Sequence, residues 1–242
     1  MIRFTYTQFH ALFVAPPLIA LFAASVWRRK RDTLVRPLAV AIITVVALVY
    51  TTPWDNYLIS RQVWGYGEGR VLATIWHAPV EEYAFIILQP LLGALWLRWV
   101  GGLFDEPAVE WPMPRRDWVV GALAALPIGV AGVAMLTVDA TFYMGAILAW
   151  GAPVLAVQWA VGWRYLLARW RLVTVAVGVP AIYLSVVDRI AIEYGIWWLS
   201  DTYTTGLTVA GLPIEEGAFF LLTTVFVVQG LVLYPWVVDG WR

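Results

Sequence analysis

Residues 79–99 read PVEEYAFIILQPLLGALWLRW: a proline, two adjacent glutamates and an apolar run that closes on Arg98. Roughly 20 apolar residues cross the hydrocarbon of a bilayer as a helix, so the stretch is long enough to span, yet it carries two carboxylates at its start. Six further stretches pass the same length rule, near 7–27, 37–54, 118–138, 142–163, 172–190 and 212–234. This predicts an all-α membrane protein of seven transmembrane helices. Composition points the same way: the 242 residues are 62% hydrophobic and 13% charged, against about 45–50% and about 25% in an average soluble domain.

Sixteen Lys and Arg balance sixteen Asp and Glu, so there is no basic surplus for a nucleic-acid partner. Cysteine is absent and the two histidines are His10 and His77, so neither a disulfide framework nor a thiol or metal centre is expected. The N-terminal MIRFTYTQFH runs into the first span with no small-residue cleavage site and is expected to remain. With the N-terminus outside, twelve of the sixteen basic residues fall in the inner loops and at the C-terminus, leaving Arg3, Arg61, Arg70 and Arg189 outside. The positive-inside rule then gives an N-out, C-in topology, and a multi-pass protein of the cell membrane is expected. RRKRD, 28–32, reads as an orientation signal, and DEPAVEWPMPRRD, 105–117, as a linker between halves.

The opening motif has an echo. PVEEYAF (79–85) is answered by PIEEGAF (213–219), DNYLISRQVW (55–64) by DRIAIEYGIW (188–197), and APPLIALFAASVWRR (15–29) by GAPVLAVQWAVGWRY (151–165). The three correspondences keep their order at offsets of 134, 133 and 136 residues, which chance rarely arranges. The expectation is a tandem duplication: a first three-helix repeat in 1–104, a linker and helix 4 in 105–140, and a second repeat in 141–242. Helices 1–3 then match helices 5–7 about an axis along the membrane normal. Asp55 and Asp188 close even-numbered helices on this reading, and the Pro-x-Glu-Glu segments open the next ones, so the acids converge near the outer leaflet.

Each of these residues has a plainer reading. Pro79 and Pro213 at the first helical position, followed by acids in the first turn, are ordinary capping and dipole complementation. Against that, two adjacent glutamates recur in apolar context, and a membrane carboxylate is by default a functional-site candidate. Asp55 and Asp188 either hydrogen-bond at a helix end or shape the site. Trp27, Trp163, Trp170, Trp236 and Trp241 read as interfacial anchors. Trp54, Trp64, Trp197, Trp198, Tyr57, Tyr83 and Phe219 flank the duplicated acids, as anchors or as cavity walls. His10 reads as a satisfied packing histidine and His77 as an interfacial one, while Gln89, Gln158 and Gln229 are expected to hydrogen-bond between helices. GYGEGR, 65–70, fails as a dinucleotide fingerprint, because Arg70 stands at the third glycine and no strand is expected before it.

Successive helical residues point about 100° apart. Glu82 shares a stripe with Phe85, Ile86 and Gln89, and Glu216 with Phe219, Phe220 and Thr223, so Glu82 and Glu216 are expected to face a cavity with Glu81 and Glu215 supporting them. Low dielectric disfavours the charged form of an acid, and two neighbouring carboxyls that cannot both ionise offer an acid and a base. Aromatic faces stabilise a cation. The residues therefore reach proton-initiated chemistry on an apolar substrate, with no metal or other cofactor.

TTPWDNYLI (51–59), PVEEYAF (79–85), GIWWLSDTYTTG (195–206) and LPIEEGAFFLLTTVFVVQGL (212–231) resemble the membrane-embedded lycopene cyclase domain family, found as a fused chain in haloarchaea, as two half-size subunits in some bacteria and joined to phytoene synthase in fungi. The resemblance covers nearly the whole chain. It implies lycopene beta-cyclase activity, the redox-neutral closure of the linear ends of lycopene to beta-ionone rings in carotenoid biosynthesis. The family motifs map onto Pro79, Glu81, Glu82, Pro213, Glu215 and Glu216, and onto Trp54, Asp55, Asn56 and Tyr57. Val80 and Ile86 depart from the commoner Leu and Phe, which touches cavity shape. The implied partners are lycopene and other carotenoids, the lipid bilayer and, in a homo-oligomer, further copies of the chain. Two alternatives stay open: a cyclase of prenyl-extended carotenoids, or a carotenoid-binding or transport protein without catalysis. A microbial rhodopsin is excluded because the only lysine, Lys30, lies in a loop, and a prenyl-protein glutamate protease because Ile86 and Phe220 stand where its arginine belongs.

Overall fold

The computed structural model describes residues 4–27, 34–104, 109 and 111–241. Seven helices in it are long and apolar enough to cross a membrane: α1 (Tyr6–Trp27), α2 (Pro37–Ser60), α3 (Val80–Gly101), α4 (Arg115–Met135), α5 (Phe142–Ala168), α6 (Trp170–Glu193) and α7 (Ile214–Gly240). Their outward faces carry large apolar side chains such as Ile19, Val45, Val130 and Ile182. Carboxylates sit inside: Asp55, Glu81, Asp188, Glu215 and Glu216 are all buried. That is the distribution of an integral membrane protein, whose solvent is hydrocarbon. The run 28–32 and residues 105–108 and 110 of the expected linker lie outside the described residues.

Helices α3 and α7 form the centre. Helix α3 packs against α1, α2, α6 and α7, and α7 against α2, α3, α5 and α6, while α4 leans on α5. One apolar core, built around Leu97, Val228 and Leu231, ties the ends of α3 and α7 to the beginnings of α2 and α6. At the other end of the bundle the connections are short strands. β1 (Trp64–Tyr66) pairs antiparallel with β4 (Trp197–Leu199), while β2 (Thr74–Ile75) with β3 (Ala78–Pro79), and β5 (Thr208–Val209) with β6 (Leu212–Pro213), make two hairpins. The hairpins lead straight into α3 and α7, with Pro79 and Pro213 as N-caps and the glutamate pairs in the first turns.

Three sequence expectations change here. Helices α2 and α6 do not end at their aspartates but continue to Ser60 and Glu193, so Asp55 and Asp188 are helical residues with inward side chains. A strand does occupy GYGEGR, since Gly65 and Tyr66 belong to β1, but it pairs with β4 and leads into turns rather than a helix. His10 packs as expected, its ring stacked on Phe85 at 6.2 Å, but its buried Nε2 has no hydrogen-bond partner.

Helix α1 opens with a capping box, in which the Thr5 hydroxyl accepts from the Gln8 N–H and the Gln8 side chain accepts from the Thr5 N–H. Residues His10–Val14 then form a π turn. Pro17, which lacks an N–H, cannot bond the carbonyl of Phe13 four residues back; the Tyr183 hydroxyl of α6 donates to that carbonyl instead, at 2.6 Å.

Helix α4 approaches α5 through small residues. A Cβ added at Gly121 would come within 2.2 Å of the Trp159 carbonyl oxygen, and one at Gly132 within 2.4 Å of the Ala149 nitrogen. Backbones this close are the membrane form of tight helix packing. Replacement of Gly132 by Leu should therefore push α4 off α5 at a cost of roughly 1–3 kcal/mol. A thermal unfolding midpoint unchanged from the parent in detergent would contradict this packing.

Candidate active site

The strand-lined end of the bundle encloses a cavity of about 60 Å³. Four carboxyl groups reach it, Asp55 from α2, Glu82 from α3, Asp188 from α6 and Glu216 from α7, with aromatic walls from Trp64, Trp197, Phe85, Phe219 and Phe220. Asp55 lies beside Glu82 and Asp188 beside Glu216, and Glu82 is in turn within electrostatic reach of Glu216.

Hydrogen bonds fix the two cavity glutamates. Glu82 Oε2 accepts from the hydroxyls of Tyr6 at 2.8 Å and Tyr66 at 2.9 Å, and Glu216 Oε1 accepts from the Tyr143 hydroxyl at 2.8 Å. Asp188 Oδ1 accepts from the Trp197 indole at 3.0 Å. The second oxygens of Asp55 and Asp188 are buried without a hydrogen-bond partner, and an unsatisfied buried acceptor is costly unless the site uses it. Tyr66, on β1 and outside the spans, is held well above its ordinary hydroxyl value, first by burial and then by the Glu82 charge, so it stays a donor to that carboxyl.

The neighbouring glutamates do something else. Glu81 Oε1 accepts from the Leu72 N–H at 3.0 Å and the Thr7 hydroxyl at 2.9 Å, and Glu215 Oε1 from the Thr205 N–H and hydroxyl, both at 2.7 Å. Each clamps the loop that precedes its helix. Adjacent residues on one helix thus divide the labour, because 100° of rotation sends one to the cavity and the next to the loop.

The strands explain which aromatic residues arrive at the site. Side chains alternate along a strand, so Trp64 and Tyr66 on β1, and Trp197 and Leu199 on β4, face the cavity. Trp198 points the other way, 43% exposed, and lies over Gly65, where a Cβ would meet its ring at 2.6 Å. Of the other residues singled out in the sequence, Trp54 stacks on Phe219 behind the cavity wall at 5.9 Å. Tyr57 is 52% exposed beside Arg61, and Tyr83 donates to the Ile75 carbonyl of β2. Neither lines the cavity. Asn56 is also turned away: its Oδ1 accepts from the His77 and Ala78 N–H groups, and its Nδ2 donates to the Thr52 carbonyl and the Tyr83 hydroxyl. Gln89 and Gln158 bond across to Thr223 and Phe226 of α7, whereas Gln229 keeps a buried Oε1 without a partner. Sequence reasoning missed Tyr6, Tyr66 and Tyr143.

Comparison with known proteins adds the family. The lycopene cyclase family model matches residues 3–100 and 136–234. The lycopene beta-cyclase of Halobacterium salinarum is 54% identical over 238 residues, covering 98% of this chain and 99% of that one. The bifunctional lycopene cyclase/phytoene synthase of Phycomyces blakesleeanus is 34% identical over 227 residues, which cover 90% of this chain and 37% of the fungal protein. No solved structure matches. The chain, a helical membrane protein with an acid-lined cavity, belongs to the lycopene cyclase family.

Because Asn56 uses all four of its hydrogen-bonding positions, two of them to hold the β2–β3 turn, its replacement by Leu leaves the buried Ala78 N–H unpaired, at a cost of about 1–3 kcal/mol. Asn56→Leu should lower the thermal midpoint, with any loss of turnover following that loss. Full stability with selectively lost lycopene binding would instead make Asn56 a substrate contact.

Proposed function

We propose that this chain is a lycopene beta-cyclase, which closes the linear ends of lycopene to beta-ionone rings by moving protons and no electrons. The observation that carries the reading is the meeting of Glu82, held by two tyrosine hydroxyls, and Glu216, held by one, at one aromatic-walled cavity inside the bundle. Family membership supplies the substrate: the matched relative from Halobacterium salinarum is a lycopene beta-cyclase.

The steps balance. A proton from one glutamic acid adds to the terminal double bond of lycopene and leaves a tertiary cation. The next suitably placed double bond attacks that cation, forming the ring bond and moving the positive charge onto the ring. A ring carbon then loses a proton to the second carboxylate, and the ring double bond remains. One proton enters and one leaves, so the product is an isomer. Trp64, Trp197 and Phe219 present π systems to the migrating charge, each worth roughly 2 kcal/mol or more where water is excluded. Asp55 and Asp188 flank the two glutamates and keep their orientation, while Glu81 and Glu215 hold the loops. A positioned proton-transfer group contributes about 10²–10⁴-fold to rate.

The same proposal includes two three-helix halves, 1–104 and 141–242, joined by the segment 105–140 that holds α4. Its support is recurrence: Tyr6 bonds Glu82 and Tyr143 bonds Glu216, the hairpins 74–79 and 208–213 each feed a Glu-Glu helix, and the family model matches two stretches of nearly equal length. The N-out direction rests on the distribution of Lys and Arg, and residence in the cell membrane is part of the same proposal.

Glu82→Gln and Glu216→Gln keep shape and remove the ionisable proton, so each should lower cyclisation at least about 10²-fold in a protein that still inserts and binds lycopene. Glu81→Gln and Glu215→Gln keep an acceptor for the loop N–H groups and should retain measurable turnover. Pigment analysis in a lycopene-accumulating host reads both outcomes. Near-normal turnover in all four variants would move the acid to Asp55 or Asp188.

Isotope incorporation gives an independent check. Turnover in heavy water should place deuterium in the new ring at unchanged carbon skeleton, once the acids have exchanged with solvent. Ring formation without solvent deuterium would rule out a carboxylic acid as the initiator.

A further inference from the structure

A second, mainly apolar chamber adjoins the acid cavity. It measures about 140 Å³ and lies between α2, α3, α5 and α7. Phe85 and Phe219 belong to both walls, so the two spaces meet at these rings. We infer that the acyclic polyene chain of the substrate reaches the acids through this chamber, and from this side of the bundle only. The inference rests on the lycopene cyclase reading and adds the route and its asymmetry.

Four observations carry it. An apolar cavity of about 150 Å³ holds a benzene-sized hydrocarbon, so the chamber accepts an isoprenoid segment, whereas the acid cavity at about 60 Å³ has room for little beyond the terminal group that is protonated. Its wall carries stacked rings that lead to the acids: Tyr50 on Trp150 at 5.5 Å and Trp150 on Phe219 at 6.4 Å. Flat faces in series suit a flat conjugated chain. The chamber also opens outward, since Val46 and Tyr50 on its rim are exposed on the lipid-facing side of α2. On the opposite side of the acid cavity the space is filled, where Phe9, Val14 and Leu184 are buried together and Phe9 meets Trp197 edge-on at 5.2 Å. The larger groove beside α6, of about 770 Å³, shares no wall residue with the acid cavity and is not a second route. One route means one end at a time, so a molecule cyclised at one end withdraws before the other is presented.

The chain contains no cysteine, so a single introduced thiol reports its own surroundings. Val46→Cys places the thiol on the chamber rim, and Val179→Cys places it on the exposed face of α6 as a control. Each is made in the Glu216→Gln background, so that lycopene is bound and not consumed, and labelled with N-ethylmaleimide. At about ten times its half-saturating concentration, lycopene should slow labelling at position 46 about tenfold and leave position 179 unchanged. Equal protection at both positions, or none at position 46, overturns the inference. As a second measurement in the otherwise unaltered protein, Ala47→Phe fills the chamber and should raise KM for lycopene about tenfold with a smaller change in kcat, the pattern of lost ground-state binding. An unchanged KM in a variant of parental thermal midpoint counts against the route. If the parent cyclises lycopene while these tests fail, the route alone is wrong; if the parent does not cyclise lycopene at all, the functional reading falls with it.

Discussion

A carboxyl group taken into a bundle that has hydrocarbon for its solvent must be given hydrogen-bond donors, because an unpaired one costs more than most side chains can repay. The strand-lined end of this protein is organised around that demand. Glu81 and Glu215 draw their donors from the loops that precede their helices, and so the loops are folded down upon the bundle. Glu82 and Glu216 draw theirs from tyrosines on other elements, which ties α1 and β1 to α3, and α5 to α7. Asp188 draws its donor from β4. The pairing of β1 with β4 then closes the same space from above, and the two strands deliver alternate side chains to it.

Two kinds of pressure meet at the cavity. Partnered oxygens hold Glu82 and Glu216 still, while the unpartnered second oxygens of Asp55 and Asp188 remain an electrostatic cost within the same walls. Outside the cavity, Glu81 and Glu215 carry the same cost on their own second oxygens. The apolar cores offset these costs: the large cluster at the opposite end of the helices packs the ends of α3 and α7 against the beginnings of α2 and α6.

Much of the fold was legible because a spanning helix announces itself by uninterrupted apolar length rather than by periodicity. Where the reading slipped, polarity was mistaken for a boundary. Asp55 looks like the end of a helix because a carboxylate in a run of apolar residues suggests the water interface, yet it points inward and α2 continues to Ser60. The strands are two or three residues long and too short to show an alternating pattern, so Trp197 and Trp198 read alike although only the first faces the acids. The glutamate pairs were legible from their recurrence. Tyr6 and Tyr143 were not, because an aromatic residue at the beginning of a span reads as an interfacial anchor, and because the two do not fall at the offset of the surrounding helix.

That last failure has a structural origin in the π turn of α1. From Tyr6 to Pro17 is eleven residues, and from Tyr143 to Pro153 is ten; the surplus residue falls where residues 10–14 widen into a π turn. A single surplus residue in a helix is a phase change, about 100° of rotation for everything on one side of it. The π turn absorbs that phase locally, so the first turn of α1 carries the Tyr6 hydroxyl to Glu82 while the helix beyond Pro17 keeps its packing on α3. The length of the segment 10–14 is thus a tuning parameter for the site: removing its surplus residue would restore the ten-residue spacing of α5, whereas adding one more would leave the span long enough to cross the bilayer yet swing the tyrosine off the acid it steadies.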